Sequence, residues 1–314
     1  MRRVPLWLTF VPLLLGAAGY YWFWSGYAER FAAEVATVLP GVPARIGGFP
    51  YRIEATLGRP RLQLGGPVAG ATLDAASAAA TRGPWRPQLT VIRSTAPRMQ
   101  IAVAALARAT LDVTAAAALS SLHVEGRRLQ RLSTVFDRPQ IVSGLLPVAA
   151  RADRLEVHLR ETPAVAAAGM PTPPRQAQVV LTGTAMRFGP GVPLTVKADI
   201  GLTSLARLRS YAGWAAGGTV EVGLTLSDAS GEVLRMAASG VPSSGALRLA
   251  GTIDTVCPAH VAAAFTGTVP APEARARRPV RLAFAGTPGA LRLTGAPPAG
   301  LATRTQLPPC PRLR

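Results

Sequence analysis

Lysine is nearly missing from this sequence. Lys197 is the only one among 34 basic residues, and carboxylates number just 16, so arginine carries the formal net charge of +18. Histidine is limited to His123, His158 and His260, and cysteine to Cys257 and Cys310. No pair of histidines has the spacing of metal ligands, and Cys257-x-x-His260 is half of a zinc pattern without its other half. There is no Gly-x-Ser-x-Gly elbow, no Gly-x-x-x-x-Gly-Lys-Ser phosphate loop and no dinucleotide fingerprint between a strand and a helix. The closest carboxylates, Asp153, Glu156 and Glu161, alternate with arginines along one strand-like run. That pattern describes a solvated face with cross-strand ion pairs, not an acid–base couple. The expectation is a non-enzymatic protein with no cofactor and no metal; a hydrolase assembled from distant residues is the least favoured alternative.

Aromatic residues are also scarce, at 6%, and much of that share lies in the first 31 residues. Any core beyond them is built from Leu, Val, Ile and Ala. Glycine (31) and proline (29) are abundant and punctuate apolar runs, which fits short strands joined by turns. The arginines follow the strand-like segments and form no block interleaved with aromatics. Two readings of the charge stay open: an anionic partner, either nucleic acid or lipid, or a coding bias toward Arg, Ala, Gly and Pro.

The N-terminus bears on the compartment. Arg2 and Arg3 precede an uncharged stretch from Val4 to Trp24, about the twenty residues that cross a bilayer core of about 30 Å. The arginines favour a cytoplasmic N-terminus. Tyr20, Tyr21, Trp22, Phe23, Trp24 and Tyr27 then mark the outer interface, where aromatic rings concentrate. A cleavable signal peptide with Gly16-Ala17-Ala18 near its cleavage site is the rival reading. Both export the remainder, so the expected location is the inner membrane, single-pass, with the bulk of the chain periplasmic and no nucleic-acid partner. In such a compartment Cys257 and Cys310 either pair as one disulfide or remain two thiols.

The expected organisation is an anchor over 1–27, an amphipathic stalk helix over 28–43, a β-rich part over 44–165, a Pro/Ala linker over 166–174 and a second β-rich part over 175–314. Phe31, Val35 and Val38 are helically spaced in the stalk. The Gly47-Gly48-Phe49-Pro50 knot is a structural turn. After it Ile53, Ala55 and Leu57 alternate with Glu54 and Thr56 as a strand with one oily face. The same alternation recurs at 89–93, 98–106, 154–160, 178–188 and 193–202, with hairpins over Asp228–Gly231 and Thr287–Gly289. Helices are expected over Ser204–Gly217 and from Pro258. "GALRLAG" at Gly245 and "GALRLTG" at Gly289 echo each other. The fold class is mainly β: a transmembrane helix and short stalk helix, then an extended, mostly antiparallel sheet, with two curved halves as one arrangement.

The segments "GGFPYRIEATLGRPRL", "WRPQL", "YAGWAAGGTVEVGLTLSD" and "GALRLTGAPPAGL", following an Arg-bearing apolar N-terminus, resemble the bacterial envelope family catalogued as domain of unknown function 2125. The resemblance implies an exported, membrane-tethered β protein and carries no catalytic residues over. Two functions remain: a binding or scaffold role at the envelope, holding lipid acyl chains in an apolar groove with arginines at its rim, or a protein–protein module in envelope assembly. The anchor itself takes inner-membrane lipid as a partner.

Overall fold

A computed structural model describes residues 10–66, 68–103, 110–126, 128–144, 149–162, 173–205, 207–243, 246–266, 268, 277–294 and 309–311. The described residues form one long helix, two short ones and twenty strands, so the chain is mainly β. Helix α1 (Val11–Val38) leads into β1 (Ala44–Gly47) and β2 (Ile53–Gly58). Pro12 sits in the first turn of α1, where its missing N–H costs no helical bond. The helix runs unbroken across the boundary expected near residue 27.

After β2 the chain makes the same excursion three times. It bends at Arg59-Pro60 into β3 (Arg61–Gly65), returns along β4 (Ala69–Asp74), and bends again at Ala75-Ala76 into β5 (Ser77–Arg82). Next, β6 (Leu89–Thr95) turns at Ala96-Pro97 into β7 (Arg98–Val103), and β8 (Thr110–Thr114) returns through Ala115-Ala116 to β9 (Ala117–Glu125). Then β10 (Arg128–Asp137) turns at Arg138-Pro139 into β11 (Gln140–Ser143), and β12 (Ala150–Arg151) returns to β13 (Arg154–Glu161). The long β14 (Arg175–Phe188) bends within itself at Ala185. A plain meander completes the fold: β15 (Leu194–Thr203), helix α2 (Tyr211–Ala215), β16 (Thr219–Asp228), β17 (Gly231–Ser243), β18 (Ala246–Thr255), helix α3 (Pro258–Thr266), β19 (Val280–Thr287) and β20 (Ala290–Leu293).

The bends have one chemistry. Arg59, Ala96, Arg138 and Ala185 all have a positive φ, between 46° and 51°. At the first three a proline follows, and its missing N–H interrupts the ladder without orphaning a donor. The facing chain closes each corner with two backbone bonds: Arg59 N–H to Ala76 O and Ala75 N–H to Pro60 O, repeated as Ala96 to Ala116 with Ala115 to Pro97, and as Arg138 to Asp153 with Ala152 to Pro139.

Because of these corners the strands sort into two leaves, antiparallel throughout. The main leaf runs β1-β2-β5-β6-β9-β10-β13-β14-β15-β16-β17-β18-β19-β20. The second runs β3-β4-β7-β8-β11-β12 and meets the main leaf at β14, the one strand they share. Both leaves are open at their outer strands. The division therefore does not fall between an N-terminal and a C-terminal half. The second leaf is built from the arms of the first three excursions, and the main leaf passes the 166–174 region without a break, since β13 and β14 pair from Arg154↔Thr184 to Glu161↔Ala177. Most of that linker lies outside the described residues.

The register makes one face of the main leaf oily. The row through Leu57 reads Ala78, Ser94, Ala118, Phe136, Leu155, Gly183, Val196, Leu226, Leu234, and the row through Ile53 includes Leu122, Leu132, Leu159, Val179, Ile200, Val222. The alternate row, through Arg93, Leu119, Val135, Glu156, Thr182, Lys197, Thr225, Arg235, Asp254 and Arg281, is polar but for Leu119 and Val135. The two leaves meet at the corners, where Val113, Ile141 and Ala150 of the second pack with Phe136, Leu155 and Val196 of the first.

Helices cover the ends of the oily face. Trp24, Ala28, Phe31, Val35 and Leu39 at the α1 end bury against Ile53, Ala55, Leu57, Ala78 and Ala80, each large side chain contributing about 1.5–3 kcal/mol. The apolar face of the expected amphipathic stalk is thus part of the core. At the other end Val261 of α3 packs on Leu234, Ile253, Leu282 and Phe284. The helix expected over Ser204–Gly217 is confined to α2, because Ser210 is extended and caps it by accepting from Gly213 N–H at 3.1 Å. Among the described residues no helix is long and apolar enough to cross a membrane; Arg2, Arg3 and the rest of 1–9 lie outside the described residues.

Candidate functional site

The oily face is unevenly covered. Near the corners its residues are buried, and α1 and α3 bury its two ends. In the middle, four cross-strand neighbours on β9, β10, β13 and β14 are only half-buried: Leu122, Leu132, Leu159 and Val179. None of them belongs to the core clusters of the described residues. They lie in the halves of these strands that are away from the corners. On the second leaf Leu64, Ala71, Ile101 and Leu111 form a matching row, half-buried to exposed. Both apolar rows are anchored to the closed seam at the corners and are less covered away from it. Farther along, Trp214 closes the leaves: it packs with Val220 and Leu247 of the main leaf and with Val68 and Val103 of the second, and its Nε1–H donates to Thr203 O at 3.2 Å. Gly218 is required there, since a Cβ would lie 2.1 Å from the indole.

The sequence-predicted aromatics gather around α1, but not as a ring on the helix alone. Tyr20 and Phe23 stack on Trp85, with centroids at 6.3 and 5.4 Å. Tyr21 and Trp24 meet Phe49 edge-on, both at 5.4 Å. Tyr20 Oη–H donates to Pro50 O, and Trp24 Nε1–H to Arg52 O at 3.0 Å. The Gly47–Pro50 turn is therefore a clasp for the helix. Gly48 has φ +98°, and a Cβ there would collide with Arg52 O at 2.7 Å, so glycine is needed. Trp24 is buried, whereas Trp22 is 79% and Tyr21 57% exposed. Phe49 and Trp85 are the collar residues that helix reasoning missed. The signal available was two isolated aromatics, each beside a proline, in a chain otherwise poor in them. Lower down, Arg82 Nη1–H donates to Glu34 at 2.6 Å and its guanidinium lies 4.6 Å from the Phe31 ring, pinning α1 to β5.

The remaining polar groups are structural in arrangement. Among the described residues no group of three or more His, Cys, Asp or Glu could hold a metal. His123 lies on β9, His158 on β13 and His260 in α3, so the fold brings no two of them together. Cys257 and Cys310 are bonded, Sγ to Sγ 2.09 Å, beside buried Val233. A cleft of about 490 Å³ lies beside them, lined by residues including Glu232, Asp254 and Arg281. Arg281 donates to Asp254 at 2.6 and 3.0 Å and holds its carboxyl below the usual range, while Glu232 and Asp254 raise Arg235 and Arg281 respectively. All four are on the solvated face.

Fold and site together define an open, two-leaved antiparallel β protein with a helix clasped across one end of its apolar face. The chain belongs to the family described as an uncharacterised protein conserved in bacteria, DUF2125, whose model matches residues 42–254. Comparisons with curated proteins and with solved structures found no match. The matched region takes in the Gly47–Pro50 turn, the corners and both apolar rows, and stops short of Cys257.

Proposed function

We propose that this is a non-enzymatic, membrane-tethered protein of the bacterial envelope that holds lipid acyl chains in the groove between its leaves. The observation that carries the reading is the half-buried strip Leu122–Leu132–Leu159–Val179, continuous across four paired strands and facing the same side as the closed core. A lipid tail needs apolar walls and few polar groups, and this is what the strip supplies. Exposed Arg128 and Arg160 stand at the far ends of β10 and β13, and exposed Arg86 lies in the loop between β5 and β6, where guanidinium groups suit phosphate. The uncharged run from Val4 to Trp24, with Arg2 and Arg3 ahead of it, supports the tether, and a tether of that orientation would put the β domain in the periplasm.

The test is lipid extraction from the purified full-length chain followed by mass spectrometry. Bound lipid is expected above a control protein, and Leu132→Glu with Leu159→Glu should abolish it while the melting temperature stays near that of the parent. No lipid above the control ends the reading.

A further inference from the structure

We infer that the β domain does not hang from its helix but sits on the bilayer surface, docked through a three-part aromatic rim. This rests on the tethered reading above and adds an orientation to it. The rim is built from α1, the turn before β2 and the loop between β5 and β6. Tyr21 and Trp22 come from the first, Phe49 and Tyr51 from the second, Trp85 from the third. All are exposed, Tyr51 at 86% and Trp85 at 72%. Large aromatics left in water by three separate segments of a chain with so few need a surface to meet. Trp and Tyr favour the headgroup layer, where an apolar ring and a polar edge are both accommodated.

Continuity along α1 identifies that surface as lipid. About two to three turns before the rim, Phe10, Leu13, Leu14 and Leu15 are 55–68% exposed, so the helix leaves the collar with an apolar surface. The stacking of Tyr20 and Phe23 on Trp85 and the edge-on contacts of Tyr21 and Trp24 with Phe49 fix the turn and the loop at the same height on the helix as its aromatics. Arg52 and Arg86, neighbours of Tyr51 and Trp85, are exposed as well and suit anionic headgroups.

The register then sets which way the groove faces. Ile53, two residues after Tyr51, pairs with Arg82, Arg82 with Thr90, Thr90 with Leu122, and Leu122 with Leu132. The half-buried strip thus lies on the row of the main leaf nearest the rim, and the closed corners lie at the opposite end. Docking puts the less covered end of the groove beside the headgroups, so an acyl chain enters from the bilayer without crossing water.

The full-length chain in vesicles of phosphatidylethanolamine and phosphatidylglycerol tests this. Single thiols at Tyr51→Cys, Trp85→Cys and Arg138→Cys, with the native disulfide intact, take an environment-sensitive dye. Arg86→Cys is a second probe of the loop in case loss of Trp85 loosens the collar. The expected result is flotation with the vesicles, with blue-shifted emission quenched by spin-labelled lipid at 51, 85 and 86, and water-like emission at corner residue 138. Flotation with water-like emission at 51 and 86 overturns the docking and leaves the tether standing. Failure to float overturns both.

Discussion

Among individual residues, Asp228 has the most at stake. Its carboxylate accepts from the guanidinium of Arg277, which is 4% exposed, and from Ser230 N–H at the hairpin between β16 and β17. Removing the carboxylate takes a charged hydrogen-bond partner from a guanidinium that is almost fully buried. Asp228→Ala is expected to lower unfolding free energy by about 1.5–3 kcal/mol in denaturant melts, whereas exposed pairs such as Arg154–Glu156 should move it by less than about 1 kcal/mol. The Asp254–Arg281 pair has a pH signature. The folded carboxyl titrates below its unfolded counterpart, so its contribution is full above the ordinary carboxylate range and disappears as pH falls through and below it. Asp254→Asn should therefore be slightly less stable than the parent at neutral pH, and the two melts should converge in acid. The raised Arg281 and Arg235 keep their protons at any working pH and add no slope. Pairings of this kind were not legible beforehand: Asp228 and Arg277 are far apart in sequence, and nothing in either neighbourhood marks the other.

For the elements, alternation told most of the story. Ile53-Ala55-Leu57 and Leu155-Val157-Leu159 read as one-faced strands because a period of two leaves only one side to bury, and they are so placed. The echo of "GALRLAG" and "GALRLTG" turned out to be β18 and β20, with β19 between them and Leu249 and Leu291 in line on one face. The true repeat escaped notice. Its mark is a left-handed residue before Pro60, Pro97 and Pro139, and backbone sign cannot be read from Arg or Ala. The helix α1 was legible as a helix, but not its clasp, because Phe49 and Trp85 are distant in sequence. Corner geometry gives a direct expectation. Ala96 has φ 46°, which a β-branched side chain resists. Ala96→Val should cost on the order of 1–3 kcal/mol, while Ala→Val at outward-facing Ala79 on β5 should cost little; paired thermal melts distinguish the two.

At the level of the whole molecule, the C-terminal residues are held by chemistry that the family-matched region lacks. Cys257 and Cys310 close a span of 53 residues, and loop-closure entropy assigns such a crosslink about 4 kcal/mol. Reduction, or Cys310→Ser, is expected to lower the melting temperature and to expose sites after residue 277 to protease first, leaving the leaves around β14 resistant. The aromatic clasp around α1 belongs to this scale too, since it draws on a helix, a turn and a loop that are far apart in sequence.

One consequence follows from the strand order of the main leaf. Every pairing joins segments that are neighbours, or one excursion apart, along the chain. A polypeptide that emerges from its amino end onward can settle each new ribbon against one already laid down, never waiting for a distant mate. Assembly would keep pace with delivery, and the edge open at any moment would be the one that the next emerging segment covers.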